Sequence, residues 1–61
     1  MTTRFNLYCC SPAGAHMIAW ETGPDARQEL ERVAGDNLNR PDPADGFWFE
    51  VLPDAAEPAH V

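Results

Sequence analysis

Apolar and polar side chains alternate along this 61-residue chain with two different periods, and the changes of period mark out its elements. In residues 4–10, RFNLYCC, Phe5, Leu7 and Cys9 alternate with Asn6, Tyr8 and Cys10. A period of two with enriched aromatics predicts a strand. Residues 16–22, HMIAWET, resume the alternation, with His16, Ile18 and Trp20 on one side and Met17, Ala19 and Glu21 on the other. The intervening Ser11, Pro12, Ala13, Gly14 and Ala15 are turn-forming or small, so the two runs predict a hairpin. A third run of period two, residues 47–52 (FWFEVL), sets Phe47, Phe49 and Val51 against Trp48, Glu50 and Leu52 and is closed by Pro53.

Between the second and third runs the period lengthens. In residues 22–35, TGPDARQELERVAG, Ala26, Leu30, Val33 and Ala34 recur at i, i+4, i+7 and i+8, which gathers them on one stripe of a helix. Thr22 or Gly23 suits the N-cap, Pro24 the first helical position, and Asp25 the positive end of the helix dipole. Gly35 is the natural left-handed stop, with Asn37 an alternative that would add Leu38 to the stripe. Residues 36–46, DNLNRPDPADG, read as a connecting loop because two prolines block regular structure.

The pattern therefore predicts a small two-layer ββαβ fold of the α+β class, with a three-stranded, mainly antiparallel sheet and one helix on one face. Pairing Ser11 with His16 across a four-residue loop would set Cys9 opposite Ile18 and Leu7 opposite Trp20, which collects the apolar sets on one face. The first strand is apolar on both faces and suits the centre, so the expected spatial order is 2-1-3. The expected core is Phe5, Leu7, Ile18, Trp20, Leu30, Val33, Phe47, Phe49 and Val51. Residues 1–52 form the single expected domain, and residues 53–61, with two prolines and few apolar anchors, an acidic, flexible tail.

Composition narrows the functional classes. Ten acidic residues against four Arg and no Lys leave a formal net charge of −6. A phosphate backbone needs a basic stripe, so direct nucleic-acid binding is not expected. Arg without Lys, with abundant Ala, Asp and Pro, fits GC-rich coding, as in actinobacteria or their phages. No apolar run is long enough to cross a bilayer, residues 1–20 do not show a basic n-region followed by an apolar h-region, and the adjacent cysteines of a strand are expected to diverge rather than bridge. A reducing cytoplasm is the expected compartment.

Candidate chemistry is thin. Cys9, Cys10, His16 and His60 lack the convergent spacing of a zinc site, so no metal or other cofactor is expected. Cys10 and His16 meet near the hairpin end, but a nucleophile and base also need an orienting group, an oxyanion site and a cleft. Asp42, Asp45, Glu50 and Asp54 lack the calcium-loop pattern and read as loop chemistry, while Arg27 with Glu31 and Glu29 with Arg32 have ion-pair spacing along the helix. Nothing names a small-molecule substrate.

One feature stands out. In the expected register Tyr8, Cys10, Met17, Ala19, Trp48 and Leu52 all project from the sheet face away from the helix, and no second helix is available to cover them. Contiguous exposed apolar patches mark interaction sites, and Tyr, Trp and Met are enriched there. The expectation is a non-enzymatic protein-binding molecule, accessory or inhibitor-like, that docks a protein partner or self-associates as a homodimer through this face. The alternative is an acidic decoy that occupies the site of a DNA-binding protein, and a thiol enzyme trails behind. Contacts through Trp48 and Tyr8 would survive high salt, whereas an acidic decoy would release.

Overall fold

The computed structural model describes residues 3–55, and the part of the expected tail beyond Ala55 lies outside them. Strand β1 (Arg4–Ser11) leads into β2 (Gly14–Thr22), helix α1 (Ala26–Ala34) and strand β3 (Trp48–Pro53). The sheet has the order β2-β1-β3, antiparallel throughout, and α1 packs against one of its faces. β1 takes the central place and pairs along both of its edges, as expected of the strand with apolar residues on both faces.

The helix is shorter than its sequence pattern. Strand β2 runs to Thr22, and Gly23 N–H still donates to Thr3 C=O at 3.1 Å, so the chain leaves the sheet only after Gly23. Pro24 lies in the turn that follows, and Asp25 takes the N-cap position without a side-chain capping bond. At the other end Gly35, with φ of +64°, closes α1 by donating its N–H to Glu31 C=O, and one 3-10 turn (Gly35–Asn37) follows. A positive φ of this kind is open to Gly without a Cβ clash.

Leu38 then runs parallel to Phe49 for a single bridge, and Asn39 N–H donates to Phe49 C=O at 2.7 Å. These bonds, with Asp42 N–H to Phe47 C=O at 2.8 Å, use the outer edge of β3, so the connecting loop protects an edge that would otherwise template further strands. Beyond β3, Asp54 N–H donates to Arg4 C=O at 3.0 Å. Pro53 thus belongs to β3 rather than to the tail in which the sequence placed it, and Asp54, in the turn that follows, is tied to β1 by this bond.

The core lies between α1 and the sheet. Leu7, Leu30 and Ala34 are buried at its centre, and Phe5, Ala19, Leu38, Phe49 and Val51 pack around them. Phe47 meets Phe49 edge to face, with centroids 5.5 Å apart. Three expected core residues are elsewhere: Val33 is 66% exposed, Trp20 54% and Ile18 49%.

The hairpin explains two of the three. Its loop is two residues, Pro12 and Ala13, with Ser11 opposite Gly14. Cys9 then lies opposite His16 and Tyr8 opposite Met17, but the next pair is Leu7 with Ala19, so Ile18 is an extra, bulged residue. Near the turn this register differs from the expected one by two residues, which leaves the faces unchanged. Beyond Ile18 the difference is one residue, and a shift of one exchanges faces. Ala19 therefore enters the core under the helix, and Trp20, opposite Asn6, passes to the open face.

Candidate functional site

The open face has three columns. Arg4, Asn6, Tyr8 and Cys10 run down the central strand. Leu52, Glu50 and Trp48 lie opposite Asn6, Tyr8 and Cys10 on β3, and Trp20, Met17 and Ala15 lie opposite the same three on β2. No helix or strand among the described residues lies on this face. Of the six side chains expected there, Tyr8, Cys10, Met17, Trp48 and Leu52 are brought together. Ala19 is not: the bulge at Ile18 turns it to the helix side, and Trp20 stands on the open face in its stead.

Two polar groupings cross these aromatics. Arg4 Nε–H donates to Asn6 Oδ1 at 3.0 Å, Asn6 Nδ2–H donates to Asp54 Oδ1 at 3.1 Å, and Arg4 Nε is 3.5 Å from the same carboxylate oxygen. The Arg4 guanidinium also lies 4.6 Å from the centroid of the Trp20 ring and 3.9 Å from the Met17 sulfur. A cation over an indole face gains from the ring quadrupole, so Arg4 holds Trp20 in place while Asp54 balances its charge. Asn6 is buried by these neighbours with its amide satisfied, as a buried polar group must be.

The second grouping is at the hairpin end. Trp48 Nε1–H donates to Glu50 Oε2 at 2.7 Å, and the Cys10 thiol hydrogen-bonds to Glu50. Cys10 is short and central, and its exposure is 0% although it is on the open face. Burial first, then the Glu50 carboxylate, pushes its thiol up to about 11. Neutral thiols are poor nucleophiles. Its suggested partner His16 is opposite Cys9 rather than Cys10, on the other side of the sheet, and is exposed. The two cysteines also exchange the environments that alternation suggested: Cys9, on the helix side, is only half-buried.

The remaining carboxylates divide. Asp42 accepts from Ala44 N–H at 2.7 Å and from Asp45 N–H at 3.0 Å, and these backbone donors hold its pKa below the usual value. That is the Asx turn expected of a loop aspartate. Arg27 pairs with Glu31 at 3.1 Å and Arg32 with Glu29, both on the solvent side of α1. Among the described residues no three His, Cys, Asp or Glu side chains converge as a metal site would require, and no helix is long and apolar enough to cross a membrane.

Sequence reasoning missed Trp20, Arg4 and Asn6. One signal was available: Ser, Pro and Gly at positions 11, 12 and 14 are the residues favoured at the first, second and fourth places of a type I turn, which points to a two-residue loop. The bulge itself has no comparable mark beyond the adjacent large apolar pair Met17 and Ile18. Compared with known proteins, the chain matches no family model, no curated protein and no solved structure.

Proposed function

We propose that this chain is a small, non-enzymatic docking protein whose working surface is the open sheet face formed by Tyr8, Met17, Trp20, Trp48 and Leu52, with Cys10 buried beneath them and out of reach of a partner. The supporting observation is that two tryptophans, a tyrosine, a methionine and a leucine share one face that no element among the described residues overlies. Side chains of this kind form the energetic centre of protein interfaces, and a protein with so thin a core gains stability when such a face is covered. Contact with a protein partner or with a second copy of the chain would both serve.

The test is whether the face is open in solution. Acrylamide should quench both tryptophans in the isolated chain, and Trp48→Glu should abolish association, whether with a partner or as mass above the 6.8 kDa monomer in sedimentation equilibrium, without unfolding the protein. A wild type that stays monomeric at high concentration with both indoles shielded from the quencher would refute the reading.

A further inference from the structure

The open face is small, and its size and charge bear on what covers it. Strands about 4.8 Å apart with a rise of about 3.3 Å per residue make a three-stranded patch roughly 15 by 20 Å, or about 300 Å² in projection. Two chains of formal charge −6 packed sheet to sheet would repel each other, whereas a cationic partner would be attracted. A single helix, about 10 Å across and about 21 Å long for 14 residues, fits the patch in both dimensions.

Charge selects among helices. The cation on the face, Arg4, is already balanced by Asp54 at 3.5 Å. That leaves Glu50, half-buried between Tyr8 and Trp48 on the face. Its carboxylate receives the Trp48 indole N–H and the Cys10 thiol, and two oxygens with about four lone-pair sites retain capacity for further donors. A cation arriving there meets a carboxylate and aromatic rings together, and both attract it.

We infer that the occupant of this face is a cationic amphipathic helix of a protein partner, with an Arg or Lys seated on Glu50 beside Tyr8 and Trp48 and its apolar stripe laid along Met17, Trp20 and Leu52. The inference rests on the docking role proposed above and specifies the partner's chemistry.

The full chain, labelled with ¹⁵N, is titrated with a synthetic 14-residue Leu/Lys amphipathic peptide and with a Leu/Glu peptide of the same pattern. The Leu/Lys peptide should shift the indole N–H resonances of Trp20 and Trp48, and the Leu/Glu peptide should not. Glu50→Gln should weaken Leu/Lys binding about tenfold, the scale of a lost charge-assisted hydrogen bond, while Glu31→Gln, the same change of charge on α1, should leave it unaltered. The contrast between the peptides is read on the wild type and does not depend on any variant folding.

Equal binding of both peptides, equal weakening by both substitutions, or shifts centred on Glu29 and Glu31 would overturn the inference. So would binding that appears only after residues 56–61 are deleted, which would make the chain's own end the occupant, or self-association that the Leu/Lys peptide does not displace, which would make it a second copy. No binding by either peptide, with both tryptophans open to acrylamide, removes the cationic helix and leaves the docking role standing. Shielded tryptophans in the monomer remove both.

Discussion

Leu30→Ala and Val33→Ala should differ sharply, although both residues are in the same apolar stripe of the sequence. Leu30 is 3% exposed and packs with Leu7 and Ala34 inside a ring that includes Phe5, Phe49 and Val51. Truncation removes three carbons at about 0.8 kcal/mol each, and the cavity left behind adds to the loss, so about 3 kcal/mol is expected. A chain of this size has a total stability of about 3 to 9 kcal/mol, so the variant gives up a third of it or more. At about 4 to 8 °C per kcal/mol, the midpoint should fall by about 12 to 24 °C.

Val33 is 66% exposed, and Ala is the better helix former, so Val33→Ala should change stability by no more than about 0.5 kcal/mol in either direction. Thermal and urea unfolding followed by circular dichroism measures both. Equal losses in the two variants would show that α1 packs through a different stripe and would refute the assignment of the core.

Two further outcomes follow from the register and from Cys10. Ala19→Leu should cost about 1 to 3 kcal/mol by overpacking the space beneath α1; urea unfolding indistinguishable from wild type would place Ala19 on the open face and remove the bulge from the argument. The Cys10 thiol has its pKa raised in the folded state, so its contribution is fully present below the ordinary 9.0 and is lost as pH rises to about 11. Stability should therefore fall across that window in the wild type and fall less in Cys10→Ala, and iodoacetamide should modify the half-buried Cys9 well before Cys10 in the native protein. Equal rates of modification would contradict the burial of Cys10.

Element types were legible from the chain because they depend on local terms. Period-two and period-3.6 patterns report which positions one face gathers, and Gly35 and the prolines report where the chain turns. The order β2-β1-β3 agrees with the expectation drawn from the apolar residues on both faces of β1. Most of the open face followed: Tyr8 and Cys10 lie on β1, Trp48 and Leu52 on β3, and Met17 lies on the turn side of the bulge, where a slip of two leaves its face unchanged.

What the tertiary structure alone decided was the far half of β2 and the depth of individual side chains. Ala19 beneath the helix and Trp20 outside it depend on one unpaired residue, Ile18, and strand propensity is indifferent to whether that residue is in the ladder or bulged out of it. The choice is made by packing: a small residue beside Leu7 admits the helix, and Trp20 outside finds Arg4 at 4.6 Å. Val33 illustrates the same limit in the helix. Buried Ala26, Leu30 and Ala34 form an i+4 line that drifts about 40° around the axis at each step, so at the level of Ala34 the contact direction is about 100° away from Val33. Periodicity shows that a stripe exists, but the angle at which the helix crosses the sheet determines which of its edges is buried. That angle is set by contacts between elements far apart in the chain.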